Sequence, residues 1–235
     1  MENNQFSPYY SHESRQADQA RFMAKVFAWM SLALVVTGAI AFWVAMTPSL
    51  TELIFSSRIT FYLMIGAELG VVWWLTSRIQ TMSATTATLW FFLYSVLNGA
   101  TLSVIFFAFT AASISAVFFI TAGTFMVMAA YGYYTEKDLT SWGNLLFMAL
   151  IGLIISGIVN MFLKSDMFGM IISSIGVLVF VGLTAYDTQK IKEMHAEGIN
   201  GTEDGKKYAI LGALRLYLDF INLFLYMLRL LGNRR

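Results

Sequence analysis

Leu216-Tyr217-Leu218-Asp219-Phe220-Ile221-Asn222 sets a carboxylate inside a stretch that is otherwise soluble in lipid. Thr184-Ala185-Tyr186-Asp187-Thr188 does the same at the end of another long apolar stretch. A carboxylate at membrane depth is costly, so it faces the interior of a helix bundle or a water-filled cavity and marks an ion path, a proton relay or a catalytic pair. Composition supports membrane segments over the core of a soluble domain. The 235 residues are 58% hydrophobic and 12% charged, against about 25% charged in an ordinary soluble domain. The mean hydropathy is +0.66.

Working outward from the two aspartates, a membrane-spanning helix needs about 20 mostly apolar residues. Seven stretches qualify: residues 22–46, 59–75, 87–109, 114–134, 144–163, 168–186 and 208–231. No alternating strand pattern appears, which argues against a β-barrel. The expected fold is an all-α membrane protein of seven transmembrane helices. Thr110 to Ser113 leaves so little chain between the third and fourth that they form an antiparallel hairpin. The seventh carries Arg215, Asp219 and Arg229, and a lipid-facing helix of that content would be costly. It is therefore expected to be shielded by the other six. A re-entrant or interfacial segment is the alternative. Residues 1–21 are polar, lack a signal-peptide pattern and read as a flexible tail, leaving 22–235 as the transmembrane domain.

Basic residues fall mainly in the segments that would be inside if the N-terminus is inside: Arg15, Arg21, Lys25, Arg78, Lys137 and the run from Lys190 to Lys207. That predicts a cytoplasmic N-terminus. Arg229, Arg234 and Arg235 sit on the outer side if the seventh segment crosses fully, and on the inner side if it is re-entrant. The segment from Lys190 to Lys207 reads as a solvated inner loop between the aspartate helices. Its acids do not follow the EF-hand calcium-loop spacing.

Both aspartates can lie at similar depth if the seventh helix begins in the inner aqueous layer. Two carboxylates at short range in a low dielectric cannot both ionise cheaply, so they titrate as a unit. Such a pair can share a proton and, once deprotonated, hold a divalent cation transiently. Two independent structural acids remain the simpler alternative. Arg78 follows the second helix on the same side and could pair with an aspartate as a releasable latch, or be an ordinary flank residue. Arg215 precedes Asp219 by four residues, on one helix face, where it would favour the ionised carboxylate and modulate the pair. Glu68, within the second helix about 15 Å from Arg78 along the axis, could line an ion path or stay protonated against a neighbouring helix. Asn98, Asn160 and Asn222 read as helix–helix hydrogen-bonding residues.

Other chemistries find no support. Net charge is +1 and no cysteine is present, so neither nucleic acid nor a thiolate centre is indicated. His12 and His195 are the only histidines, and no zinc, phosphate-loop or serine-nucleophile motif occurs. No cofactor is expected.

At these residues the chain resembles the Bax inhibitor-1 family, also called transmembrane Bax inhibitor motif or YccA-like proteins, in its bacterial inner-membrane branch. The resemblance runs from Phe22 to the C-terminus. Leu216 to Phe224, Val181 to Lys190 and Asn98-Gly99-Ala100-Thr101-Leu102-Ser103 carry it. It implies seven helices with the last at the centre of two three-helix groups, and a pH-sensitive calcium leak. Asp187 and Asp219 match the family's proton-sharing pH sensor, Arg78 its latch and Glu68 its acid on the second helix. Arg215 stands where the family carries an uncharged residue. The partners implied are the bilayer and calcium or other cations, with the chain multi-pass in the inner membrane.

Two further readings compete. Intramembrane aspartyl proteases also pair two aspartates, and Tyr186-Asp187 fits one of their motifs. The second aspartate lacks the flanking glycines, and no proline lies beyond Pro48. An enzyme is therefore not expected. The other reading is a non-transporting protein that modulates membrane quality control or stress survival, with a quality-control protease as partner and residues 1–21 as the contact.

Overall fold

The computed structural model describes residues 12–195 and 200–235. The first half of the expected tail, residues 1–11, and residues 196–199 of the expected inner loop lie outside this description. The described residues form nine helices: α1 (His12–Met46), α2 (Pro48–Phe55), α3 (Arg58–Arg78), α4 (Ala84–Leu102), α5 (Ile105–Ala108), α6 (Ala111–Tyr134), α7 (Thr140–Leu163), α8 (Asp166–Glu193) and α9 (Glu203–Leu231). Seven membrane-length apolar spans result: α1, α3, α4 with α5, α6, α7, α8 and α9. Two edges differ from the sequence reading. Residues 12–21, read as tail, belong to α1, and α8 continues seven residues past Tyr186 to Glu193. Both extensions are polar in sequence, so hydropathy reads them as tail and loop.

Local signals start these helices. Ser57, Ser83, Thr110, Ser165 and Thr202 each cap a helix, their hydroxyls accepting from the backbone N–H of Ile59, Thr86, Ser113, Phe168 and Gly205. Each cap satisfies one of the N–H groups that a helix start leaves without a partner. Pro48 opens α2, where its missing N–H costs nothing. In the α6–α7 turn, Asp138 accepts from the Thr140 hydroxyl at 2.5 Å and from its backbone N–H at 2.8 Å. These bonds hold the exposed Asp138 carboxyl below the usual carboxylate range.

Burial orders the spans. Seventeen of the 29 residues of α9 are buried, among them Leu214, Leu216, Tyr217 and Leu223. Only Gly143 and Leu153 of α7 are. α9 packs against α8, α1, α6 and α4, while α3 rests on α4 and α7 on α8. By contact, α1, α3 and α4 form one group and α6, α7 and α8 another, and α9 packs against members of both. Four helices, rather than six, make the main contacts with α9.

Close approach depends on glycine at two crossings. A Cβ on Gly132 of α6 would overlap the carbonyl oxygen of Ala185 in α8. One on Gly99 of α4 would sit 2.6 Å from the Thr37 carbonyl oxygen in α1. Small residues at interfaces bring membrane helices together where side-chain packing and hydrogen bonds supply the attraction.

The ends of α9 settle the re-entrant alternative. Its first turn meets the start of α4, with the Ala84 N–H donating to Glu203 at 2.5 Å. Its last turn meets the α5–α6 turn at the opposite end of the bundle, with Thr110 N–H on the Asn233 carbonyl at 3.2 Å and Arg235 N–H on that of Ala108 at 3.1 Å. α9 therefore runs the whole length of the bundle, and the start of α1 and the C-terminus lie at opposite ends.

Candidate proton and ion site

α8 and α9 form the most extensive helix pair, and Asp187 and Asp219 face each other across it. Their carboxyls are in direct contact, and the Arg215 guanidinium lies within electrostatic range of both. Asp219 is only 4% exposed, whereas Asp187 is half-buried. Among the described residues, the Asp219 Oδ2 atom is the one buried side-chain oxygen or nitrogen without a hydrogen-bond partner. Two ionised carboxylates only accept, so a proton or a cation between them is needed to satisfy both. Phe220, the next residue, packs edge-on against Phe118 and Phe125, with ring centroids 5.5 Å apart in each case.

The end of α8 is fixed just beyond Asp187. Gln189 donates to the Lys137 carbonyl at 2.8 Å and accepts from the Leu139 N–H at 2.9 Å. Lys192 donates to the Tyr133 carbonyl at 2.7 Å. These bonds anchor α8 to the α6–α7 turn, so any adjustment of the pair falls to α9 or to side-chain rotation.

Arg78 lies elsewhere. It is exposed, with its guanidinium 5.3 Å from the ring centre of Trp74 one turn earlier, and it makes no ion pair with either aspartate. The cation brought to the pair is Arg215.

Glu68 lies in a separate buried network. It accepts from Asn98 at 3.1 Å and from the Thr101 hydroxyl. Asn98 in turn accepts from the Tyr217 hydroxyl at 2.9 Å. Tyr217 and Thr37 share a hydrogen bond of 2.7 Å, and Thr37 donates to the Ser95 carbonyl at 3.0 Å. Four helices, α1, α3, α4 and α9, thus meet through polar groups. Tyr217 is two residues before Asp219, so α9 carries both the network and the pair on different faces. Sequence reasoning singled out Glu68 and Asn98 and gave Tyr217 and Thr37 no role. Tyrosine and threonine are unremarkable in an apolar run, and only packing reveals their partners.

The pair offers at most four carboxylate oxygens, and no cluster of three or more His, Cys, Asp or Glu side chains occurs among the described residues. Calcium takes about six to eight oxygen ligands. A cation held by this pair alone would keep part of its water shell.

Comparison with known proteins bears on the same residues. The sequence model of the family described as "Inhibitor of apoptosis-promoting Bax1" matches residues 19–235. The chain belongs to the Bax inhibitor-1 family. Over 215 residues it is 49% identical to the "Inner membrane protein YbhL" of Escherichia coli K12, covering 91% of this chain and 92% of that one. An uncharacterized protein of Borreliella burgdorferi is 45% identical over 215 residues, covering 92% of this chain and 93% of its own. The uncharacterized protein RP147 of Rickettsia prowazekii is 44% identical over 215 residues, covering 92% and 90%. With seven apolar membrane-length spans, this family member is a multi-pass membrane protein.

Proposed function

We propose that this protein is a pH-sensitive cation leak of the inner membrane, with calcium as its substrate and Asp187 and Asp219 as its gate. The observation that carries the proposal is the buried Asp219 carboxyl, which touches that of Asp187 and whose Oδ2 atom has no donor. In this reading a shared proton joins α8 to α9 at acid pH and keeps the path shut. Loss of the proton leaves two anions that repel each other and attract a cation. Flux therefore rises with pH. Arg215 offsets part of the charge of the open state and is the nearer candidate for a latch, while Arg78 would reach the pair only after rearrangement. Glu68, with Asn98, Thr101 and Tyr217, supports a polar way-station between α3 and α9. The distribution of basic residues supports a cytoplasmic N-terminus, and the E. coli relative, an inner membrane protein by name, supports the inner-membrane location.

The test is calcium entry into dye-loaded proteoliposomes between acid and alkaline pH. The intact protein should show flux that increases with pH. Asp219→Asn supplies the missing donor permanently and should give low, pH-independent flux. Asp187→Asn should abolish the same pH response. Flux that is absent in the intact protein, or unchanged in both variants, defeats the proposal and leaves the non-transporting interaction protein as the better account.

A further inference from the structure

An open groove of about 970 Å³ runs between α1 and α6, with Phe220 of α9 at its floor. Its walls are apolar: Phe27 and Leu34 from α1 and Phe118 and Met126 from α6 are typical, with Gly38 and Ala122 leaving space between them. Lining residues on α1 extend from Ala20 to Ala39. At 1.5 Å per residue this is about 28 Å, close to the thickness of a bilayer's hydrocarbon core. The groove therefore opens sideways into lipid along its whole length.

Its chemistry changes at one end. Lys192 lies 5.2 Å from the ring centre of Tyr133, a lining residue, and donates to the Tyr133 carbonyl. Arg21, exposed, follows the lining residue Ala20 at the same end of the groove. Neither cation has a carboxylate partner among the described residues; the ion pairs there join Lys190 to Glu193, His195 to Asp18 and Lys207 to Asp204. An apolar channel ending at two unpaired cations matches an amphiphile with a negative head. An acyl chain, long and narrow, suits a groove of this length and apolar lining.

We infer that the α1–α6 groove is a binding site for an anionic glycerophospholipid, with an acyl chain along Gly38, Ala122 and Phe220 and its phosphate against Lys192 and Arg21. The bound chain fills the space between the two helix groups. It also touches the residue next to Asp219.

Native mass spectrometry of the delipidated full-length protein, titrated with phosphatidylglycerol and phosphatidylcholine of identical chains, tests this. Gly38→Phe is the filling variant, because a Cβ there meets nothing within 4 Å. Ile154→Phe, on the exposed face of α7, is the control for general lipid contact, and thermal unfolding checks that both variants fold. The intact protein and the Ile154 variant should prefer phosphatidylglycerol. Arg21→Gln with Lys192→Gln should lose that preference, by roughly fivefold for each cation removed, and keep the phosphatidylcholine level. Gly38→Phe should bind neither lipid above background. Equal retention by intact protein and Gly38→Phe would overturn the inference in favour of unspecific boundary lipid. A dimer present in the intact protein and absent in Gly38→Phe would overturn it in favour of a second copy of the chain.

Discussion

Arg215 and Asp219 lie one turn apart on α9, Asp219 in contact with the Asp187 carboxyl and Arg215 within electrostatic range of it, so their effects on the proposed gate are opposed. Two carboxylates in contact in a low dielectric oppose each other's ionisation, and a nearby guanidinium favours it. Arg215→Gln removes that guanidinium and leaves the pair intact. The pH midpoint of calcium flux should move to higher pH, with the maximal flux retained. An unchanged midpoint would mean that Arg215 points away from the pair in the bilayer. Gly132 acts on the same site through backbone packing. Gly132→Ala drives a methyl group into the Ala185 carbonyl, two residues from Asp187. Overpacking of this kind costs about 1–3 kcal/mol, so thermal unfolding in detergent should show a marked loss. A Gly38→Ala variant, with open space around the new Cβ, should not.

Among elements, α9 shows most plainly what the sequence does and does not disclose. Its apolar run from Phe220 to Leu228 is short and flanked by charge, which made a re-entrant segment a fair alternative. Packing resolves the matter, because Tyr217, Leu223 and the surrounding residues are enclosed by other helices and need not be soluble in lipid. The aspartates were legible because a charge in an apolar run stands out from its neighbours. The Tyr217–Asn98–Glu68 network was not, because its members become a unit only when α3, α4 and α9 meet. The break between α4 and α5 at Ser103 and Val104 was hidden for the same reason: hydropathy does not register backbone hydrogen bonding. Full crossing by α9 has a direct test in a chain without cysteine. Single cysteines at Gly201 and Asn233 should react with a membrane-impermeant thiol reagent from opposite faces of sealed vesicles. Labelling from the same face would restore the re-entrant form.

At the scale of the whole molecule, two three-helix groups share α9, and a polar clasp ties the connection between α8 and α9 to the first group. His195 contacts Asp18 at 3.1 Å, and Asn200 donates to the Asp18 carboxyl and carbonyl at 2.6 Å each. Gln19 adds a hydrogen bond to the Lys192 carbonyl at 3.2 Å, and the Phe22 ring packs on His195 with centroids 5.4 Å apart. The His195 side chain is only 5% exposed, so its contacts are shielded from water. α1 lies across the groove from α6, and this clasp is one of the places where chain ends, rather than span interiors, hold α1 to the α8–α9 connection. Asn200→Ala removes two hydrogen bonds to Asp18 without burying a new charge. Hydrogen bonds to charged groups contribute about 1.5–3 kcal/mol, and each kcal/mol corresponds to roughly 2–4 °C in a chain of this size. The melting temperature should therefore fall by several degrees, and limited proteolysis should cut sooner between α8 and α9. If the clasp only joins the groups and takes no part in gating, the variant's flux should keep the pH midpoint of the intact protein. A shifted midpoint would show that the junction of α1 with the α8–α9 connection transmits strain to the aspartate pair.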